Sequence, residues 1–307
     1  MWGMAMAKNL LQTYSIPICL INGAVGGTRI DQHQANPADH YAAGSRYSIY
    51  ANLVTRVASA KLTHGIRGAL WHQGEADLSN WGGTGDWDYL TYQQNFLDMS
   101  AAWKQDMPNL RCYYLFQVFA KGCGTSGTFT SDMLREMQRT LPRLYSHMSI
   151  LPTLAFSTGA NCHFNIPDYE QMGLSMAPLV ARDNYRLVPS AAITGPSLQR
   201  AWFTTATRNE IALEFDQNMS WSNLSIGNFF LNRTAGKVIS GSVSGKIVKL
   251  QLNAASTNTA IDYVVDQYWD VNPAKLLYGS NAIAALSFYA VPIAPPIPGG
   301  PPATPGQ

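Results

Sequence analysis

The spacing of hydrophobic and polar positions changes near Val188, and that change divides the chain. Before it, apolar runs alternate with stretches of helical period. Residues 2–14 carry Met4, Ala7, Leu10 and Leu11 on one side, which predicts an amphipathic helix. Residues 17–22 form a short apolar run that suits a strand. The pattern then predicts a helix over 45–62, a strand over 66–71 and a helix over 87–105 that stops ahead of Pro108. A strand over 110–118 follows, then a helix over 130–146 with Met133, Leu134, Met137 and Leu141 on its apolar face. A fourth strand over 149–156 and a closing helix over 168–182 complete this part. Four strands, each followed by a helix and none by a hairpin, predict a parallel sheet in a three-layer α/β/α domain. Beyond Val188 the segments 210–215, 229–232, 247–252 and 260–265 are short and β-rich. Turn residues such as Gly227-Asn228, Gly236-Lys237 and Ser244-Gly245 separate them, the pattern of a small β-sandwich. Residues 1–187 and 188–294 are therefore expected as two domains, with 295–307 a proline- and glycine-rich tail or linker.

The length of 307 residues, 46% of them hydrophobic, supports two cores rather than one. With 21 basic and 19 acidic residues the formal charge is only +2, which gives no reason to expect nucleic acid or an anionic membrane as a partner. No apolar run approaches the roughly 18 residues of a membrane span. Residues 1–8 lack the charged start and apolar core of a signal peptide.

The chemistry concentrates where the strand over 66–71 ends. His72-Gln73-Gly74-Glu75-Ala76-Asp77 is a polar cluster broken by one glycine. In open α/β sheets, ligands bind just beyond the carboxyl ends of strands. Gln73 can offer an amide N–H to an anionic oxygen, and Glu75 can orient a histidine. The turn Gly23-Ala24-Val25-Gly26-Gly27-Thr28 follows another predicted strand and can expose backbone N–H groups to an oxyanion. Its glycines fit neither a phosphate loop nor a dinucleotide fingerprint. The four cysteines, Cys19, Cys112, Cys123 and Cys162, contain no Cys-x-x-Cys pair, so no zinc or thioredoxin-like motif is expected. Cys19 and Cys112 read as buried small hydrophobes. Cys123 and Cys162 are either a disulfide or two free thiols. His33, His40, His64 and His147 fall in predicted loops or helix ends and read as solvated. His72, His163 and Asp77 have no metal-ligand spacing, and no cofactor is expected.

Three blocks now stand in order: Asn22-Gly23-Ala24-Val25-Gly26-Gly27-Thr28, Trp71-His72-Gln73-Gly74-Glu75-Ala76-Asp77, and Cys162-His163-Phe164 followed by Tyr169-Glu170-Gln171-Met172-Gly173. Together with Leu134-Arg135-Glu136-Met137-Gln138-Arg139 they resemble the sialate O-acetylesterase and acetyl-xylan-esterase-like branch of the SGNH hydrolases, over residues 1–185. The resemblance implies a carbohydrate O-acetylesterase that acts through a serine, with acetylated sugar as substrate and an extracellular or periplasmic place of work. It implies that His163 is the catalytic base, that Gln73 and a backbone N–H near Gly26 or Gly27 hold the oxyanion, and that Glu75 orients His163. Thr28, His72 and Asp77 are expected to shape the same site.

Two features depart from that pattern. The position three before His163, where many SGNH enzymes hold an aspartate, is Ala160, which raises the weight on Glu75, with Asp77 and Asp168 as substitutes. The Gly-Gln-Ser-Asn-like block that carries the family's nucleophile, on a strand ahead of Gly26-Gly27-Thr28, is missing, so an N-terminally shortened protein is expected. Ser45, Ser157 and the Gly124-Thr125-Ser126-Gly127 stretch do not replace it convincingly, Ser157 being the best of them, and the nucleophile stays unassigned. The alternative reading is a non-catalytic carbohydrate-binding protein that kept the cleft and lost the nucleophile.

Overall fold

The computed structural model describes residues 2–44, 46–78, 89–121, 130–156 and 163–296. Its first part is built on a parallel sheet of three strands, β1 (Gly68–Trp71), β2 (Cys112–Phe116) and β3 (Met148–Leu151), in the order β1-β2-β3. The register runs from Gly68 opposite Cys112 to Trp71 opposite Leu115, and from Tyr113 opposite Met148 to Phe116 opposite Leu151. Side chains alternate across β2 as the period of a strand requires. Cys112, Tyr114 and Phe116 pack with Met6 and Leu10 of α1 (Trp2–Tyr14) and with Met172 and Met176 of α5 (Ile166–Tyr185). Tyr113 and Leu115 pack with Tyr50 and Val54 of α2 (Ser48–Ser59) and with Phe96 and Trp103 of α3 (Tyr92–Asp106). Helices thus cover both faces. The closest approach is α1 on α5, where a Cβ on Gly173 would stand 2.3 Å from the Trp2 carbonyl oxygen.

One expected strand is not formed. Residues 17–22 have no ladder partner and belong to no sheet. The reason lies beside them: a cavity of about 430 Å³ separates this segment from β1. Ile18, Leu20, Ile21, Gly68, Leu70 and Tyr114 are among the residues that line it. Ile18 and Leu20 pack on the α1/α5 side and Ile21 on the α2/α3 side, so the segment spans both layers without the hydrogen bonds of a strand. Cys19, expected to be buried here, is exposed for the same reason. The helix expected over 45–62 shortens to the 12 residues of α2 and β3 stops at Leu151 before Pro152, whereas α5 runs beyond the expected 168–182 at both ends.

After α5, which ends on Arg186 in the left-handed conformation (φ 60°), the structure is mostly β. Strands β4 (Leu198–Phe203), β5 (Glu210–Phe215), β7 (Phe229–Leu231), β8 (Val238–Ser244), β9 (Ile247–Leu252), β10 (Ala260–Tyr263) and β12 (Phe288–Ala294) form one sheet in the order β7-β10-β12-β4-β5-β9-β8. A short ladder pairs β6 (Met219–Ser220) with β11 (Tyr278–Gly279). Among the described residues, the only parallel pair in the large sheet is β12 with β4. The segments read from sequence as 210–215 and 247–252 match β5 and β9, whereas 229–232 and 260–265 end early at Leu231 and Tyr263. A single apolar cluster, with Phe203, Phe215, Leu231, Leu250, Tyr263 and Trp269, fills this part.

The two parts meet on α4 (Thr130–Thr140). Sequence spacing predicts that Met133 and Met137 face the core, but these are half-buried, and the buried positions are Ser131, Asp132, Leu134, Arg135, Gln138 and Arg139. Buried polar groups persist where they are paired. Arg135, 1% exposed, donates to Ser131 Oγ at 2.6 Å, Asp132 Oδ1 at 2.5 Å, Asp266 Oδ1 at 2.8 Å, Ser287 Oγ at 2.8 Å and the Val264 carbonyl at 2.9 Å. Arg139 reaches the Leu198 carbonyl at 2.6 Å, and the Tyr289 N–H donates to Glu136. The joint is therefore a hydrogen-bonded one, which an apolar-face reading cannot find.

Candidate active site

Everything at the site hangs from the end of β1. Trp71 closes the strand with its ring against Phe96 and Trp103, and its Nε1–H donates to Tyr92 Oη at 3.1 Å. The Gln73 carbonyl accepts from Tyr92 Oη–H at 3.0 Å and from Gln138 Nε2–H at 2.9 Å. Gln138 Oε1 in turn accepts the Val118 N–H at 2.8 Å, so one side chain ties together the chains leaving β1 and β2. Gly74 then turns at φ 143°, where a Cβ would stand 2.9 Å from Leu134 and Val118 side-chain atoms. Only glycine fits that conformation in that space.

The turn lets Glu75–Asp77 form one 3-10 turn, with opposite fates for its two carboxylates. Asp77 is 1% exposed and points inward, accepting the Ile30 N–H at 3.2 Å and an N–H of Gln73. Gln73 Nε2 also donates to the Thr28 carbonyl at 3.0 Å, so both amide hydrogens are engaged within the protein, and Oε1 is the atom left without a partner. These bonds bind the Gly26-Gly27-Thr28 turn to β1. Gly27 sits at φ 70°, and a Cβ on Gly26 or Gly27 would meet nothing within 4 Å, so the turn faces open space. Thr28 Oγ1 donates to the Val25 carbonyl at 2.7 Å and lies 2.9 Å from His33 Nε2.

Glu75 faces the other way, toward His72, with Oε1 3.3 Å from His72 Nε2. The two atoms are in contact without hydrogen-bond alignment. The His72 ring packs on Phe164 at 5.9 Å and on Phe116 at 5.7 Å. Phe164 also meets Tyr169 edge-on at 5.5 Å. The histidine block is thereby brought beside the cluster that follows β1, and His163 itself is exposed. Among the described residues, the partner shown for Glu75 is His72, and no hydrogen bond or ion pair links it to His163. Ser45, Ser157, the Gly124–Gly127 stretch, Cys123 and Cys162 lie outside the described residues. Among the described residues no three His, Cys, Asp or Glu side chains converge as a metal set.

Sequence reasoning missed three residues of this construction. His33 is 7% exposed rather than solvated, and Tyr92 and Gln138 hold the Gln73 carbonyl. His40 is likewise not free, since its Nδ1 lies 2.7 Å from Asp106 Oδ2. No periodicity marks such residues, because each is defined by a partner distant in sequence or by a loop path.

Burial pushes Asp77 up to about 7, against the lowering effect of its bonds from Gln73 and Ile30. An unfolded aspartate titrates near ~3.9. Between about pH 4 and pH 7 the folded state then holds the extra proton, so this group makes stability fall as pH rises, by about 4 kcal/mol in all. Asp77→Asn should remove that slope, so urea unfolding at pH 4.5 and 7.5 should differ less in the variant than in the wild type. Equal pH dependence in the two proteins would show that Asp77 titrates normally.

The fold matches a crystal structure described as XAC1771, a novel carbohydrate acetylesterase from Xanthomonas citri, with a TM-score of 0.73 and 17% identity. The match covers 94% of this chain and 64% of that one, so the chain spans about two thirds of the length of the structure it resembles. At that identity the likeness is one of fold. No curated protein sequence matches the chain. The family described as carbohydrate esterase, sialic acid-specific acetylesterase matches residues 2–182, more than half of the chain, and the chain belongs to that family.

Proposed function

We propose that this chain supplies the base and the oxyanion turn of a carbohydrate O-acetylesterase that removes acetyl groups from sugars through a serine nucleophile. The observation that carries the reading is the convergence at the end of β1: an open Gly26-Gly27 turn, bound to Gln73, beside the His72–Phe164 contact that brings in His163. In this reading the serine oxygen attacks the acetyl carbonyl carbon while His163 takes its proton. Backbone N–H groups of the Gly26-Gly27 turn hold the oxyanion, and Gln73 joins them by turning one amide hydrogen toward it. His163 then returns the proton to the departing sugar oxygen, and water releases acetate by the same steps in reverse roles. Glu75 orients His163.

The cavity between residues 17–24 and β1 supports a place for the nucleophile. It lies between an unpaired strand edge and a segment that packs on both helix layers, and its lining runs to Gly23, Ala24, His33 and Trp71 at the site. A further strand seated there would deliver a serine to the oxyanion turn and complete an SGNH-type three-layer α/β/α domain over residues 1–187. Residues 188–294 are read as a β-sandwich accessory domain, and the place of work as extracellular or periplasmic.

The test is labelling with a fluorophosphonate serine probe followed by peptide mapping. The expected result is that the 307-residue chain stays unlabelled, whereas the same chain fused to a strand ending in a Gly-Gln-Ser-Asn block labels at that serine. Absence of label in both proteins, with binding of acetylated glycan retained, would replace the esterase reading by that of a carbohydrate-binding protein.

A further inference from the structure

His33 has no part in the chemistry just described, yet it is among the most enclosed polar side chains near the site, 7% exposed. Its ring stands edge-on to Trp71, the last residue of β1, with centroids 5.1 Å apart. Its Nε2 lies 2.9 Å from Thr28 Oγ1. Thr28 has one hydroxyl hydrogen, and that hydrogen goes to the Val25 carbonyl at 2.7 Å. The oxygen can therefore only accept from the imidazole, which assigns the proton to Nε2. The ring thus braces the oxyanion turn against the end of the strand that carries Gln73. The other ties to this loop act elsewhere: Gln73 on the Thr28 carbonyl, Asp77 on the Ile30 N–H.

We propose that His33 is a positioning residue, whose Nε2–H to Thr28 Oγ1 holds the Gly26-Gly27-Thr28 turn in the form that presents its backbone N–H groups to the oxyanion. This rests on the functional reading above. The turn has room to move outward, since a Cβ on Gly26 or Gly27 would meet nothing within 4 Å, and the His33 bond adds to the Gln73 bond in holding its inner side. Burial depresses the His33 imidazole to about 4, with Asp31 opposing, so the ring is neutral at pH 7 and donates through one nitrogen only. A base so depressed is too weak to take a serine proton efficiently.

Two variants separate donation from bulk. His33→Phe keeps an aromatic ring against Trp71 and removes the donor, and His33→Gln restores an amide donor without the ring. With the unlabelled fusion protein of the preceding subsection, which carries the serine-bearing strand, and para-nitrophenyl acetate, His33→Phe should lower kcat about tenfold with KM within about twofold, since a displaced donor weakens the transition state and not substrate binding. His33→Gln should stay within about threefold of the wild type. Amide hydrogen exchange at Gly27 and Thr28, measured on the 307-residue chain, should quicken about tenfold in His33→Phe and stay near wild type in His33→Gln. An unchanged kcat and unchanged exchange in His33→Phe, or equal losses in both variants, would overturn the proposal. If the wild type turns over no ester, the functional reading fails, and the exchange rates alone still decide whether His33 braces the turn.

Discussion

His163→Ala is expected to lower kcat at least 1,000-fold in the protein that carries a reactive serine, an order set by general-base catalysis and by the loss of a nucleophile's proton acceptor. The argument starts from position. His163 is exposed and its neighbour Phe164 packs on His72, which brings the histidine block alongside the cluster that follows β1. An exposed side chain outside the packed core changes stability little, so the unfolding midpoint of the variant should match the wild type. Lost activity with an unchanged midpoint therefore reports chemistry. The rival base is His72, already 3.3 Å from Glu75. If His163→Ala keeps activity within tenfold and His72→Ala abolishes it, the roles of the two histidines are exchanged. Fluorophosphonate labelling should follow the same order, because the probe needs the activated serine.

Arg135→Met is expected to be the most destabilising substitution in the joint between the two parts, by about 3–5 kcal/mol. Arg135 is 1% exposed and satisfies two carboxylates from opposite sides, Asp132 on its own helix and Asp266 beyond β10. Removing the guanidinium leaves Asp266 buried with its remaining bonds from the Ser131 hydroxyl and the Lys121 N–H. Asp132 keeps Arg233 at 2.6 Å, so the larger share of the loss falls on Asp266. Ser287 also loses the Arg135 Nε–H, while its bonds to Gln117 remain. Urea unfolding measures the total, and hydrogen exchange of Ser287 and neighbouring amides shows whether the joint opens first. A midpoint change equivalent to less than about 1 kcal/mol would mean that the charges are solvated in the joint and contribute little.

Local pattern was enough for much of this protein. The amphipathic period of residues 2–14, the apolar strands that became β1, β2 and β3, and the residue-for-residue β5 and β9 all follow from side-chain alternation. The glycine turn at 23–28 and the polar cluster after β1 were legible too, since glycine in a turn and polar residues after a buried strand are local signals. Gly74 shows why: its φ of 143° is a property of a few consecutive residues.

What tertiary structure decided is what depends on a partner far along the chain. Residues 17–22 have a strand's composition, but a strand exists only through hydrogen bonds to a neighbour, and a cavity lies on the side toward β1. The buried face of α4 is polar because Asp266, Ser287 and Leu198 come to meet it, which no helical period records. Glu75 and Asp77, two residues apart, separate into an exposed-side partner of His72 and a buried anchor of Ile30. His33 reads as solvated until the fold sets it against Trp71 and Thr28. The sequence by itself determined the family, the helices and three of the four strands read in the first part, and the chemical groups at the end of β1, because these rest on local composition and spacing. The tertiary structure alone decided which of those groups face each other, because burial and hydrogen-bond geometry are set by segments that meet only once the chain has folded.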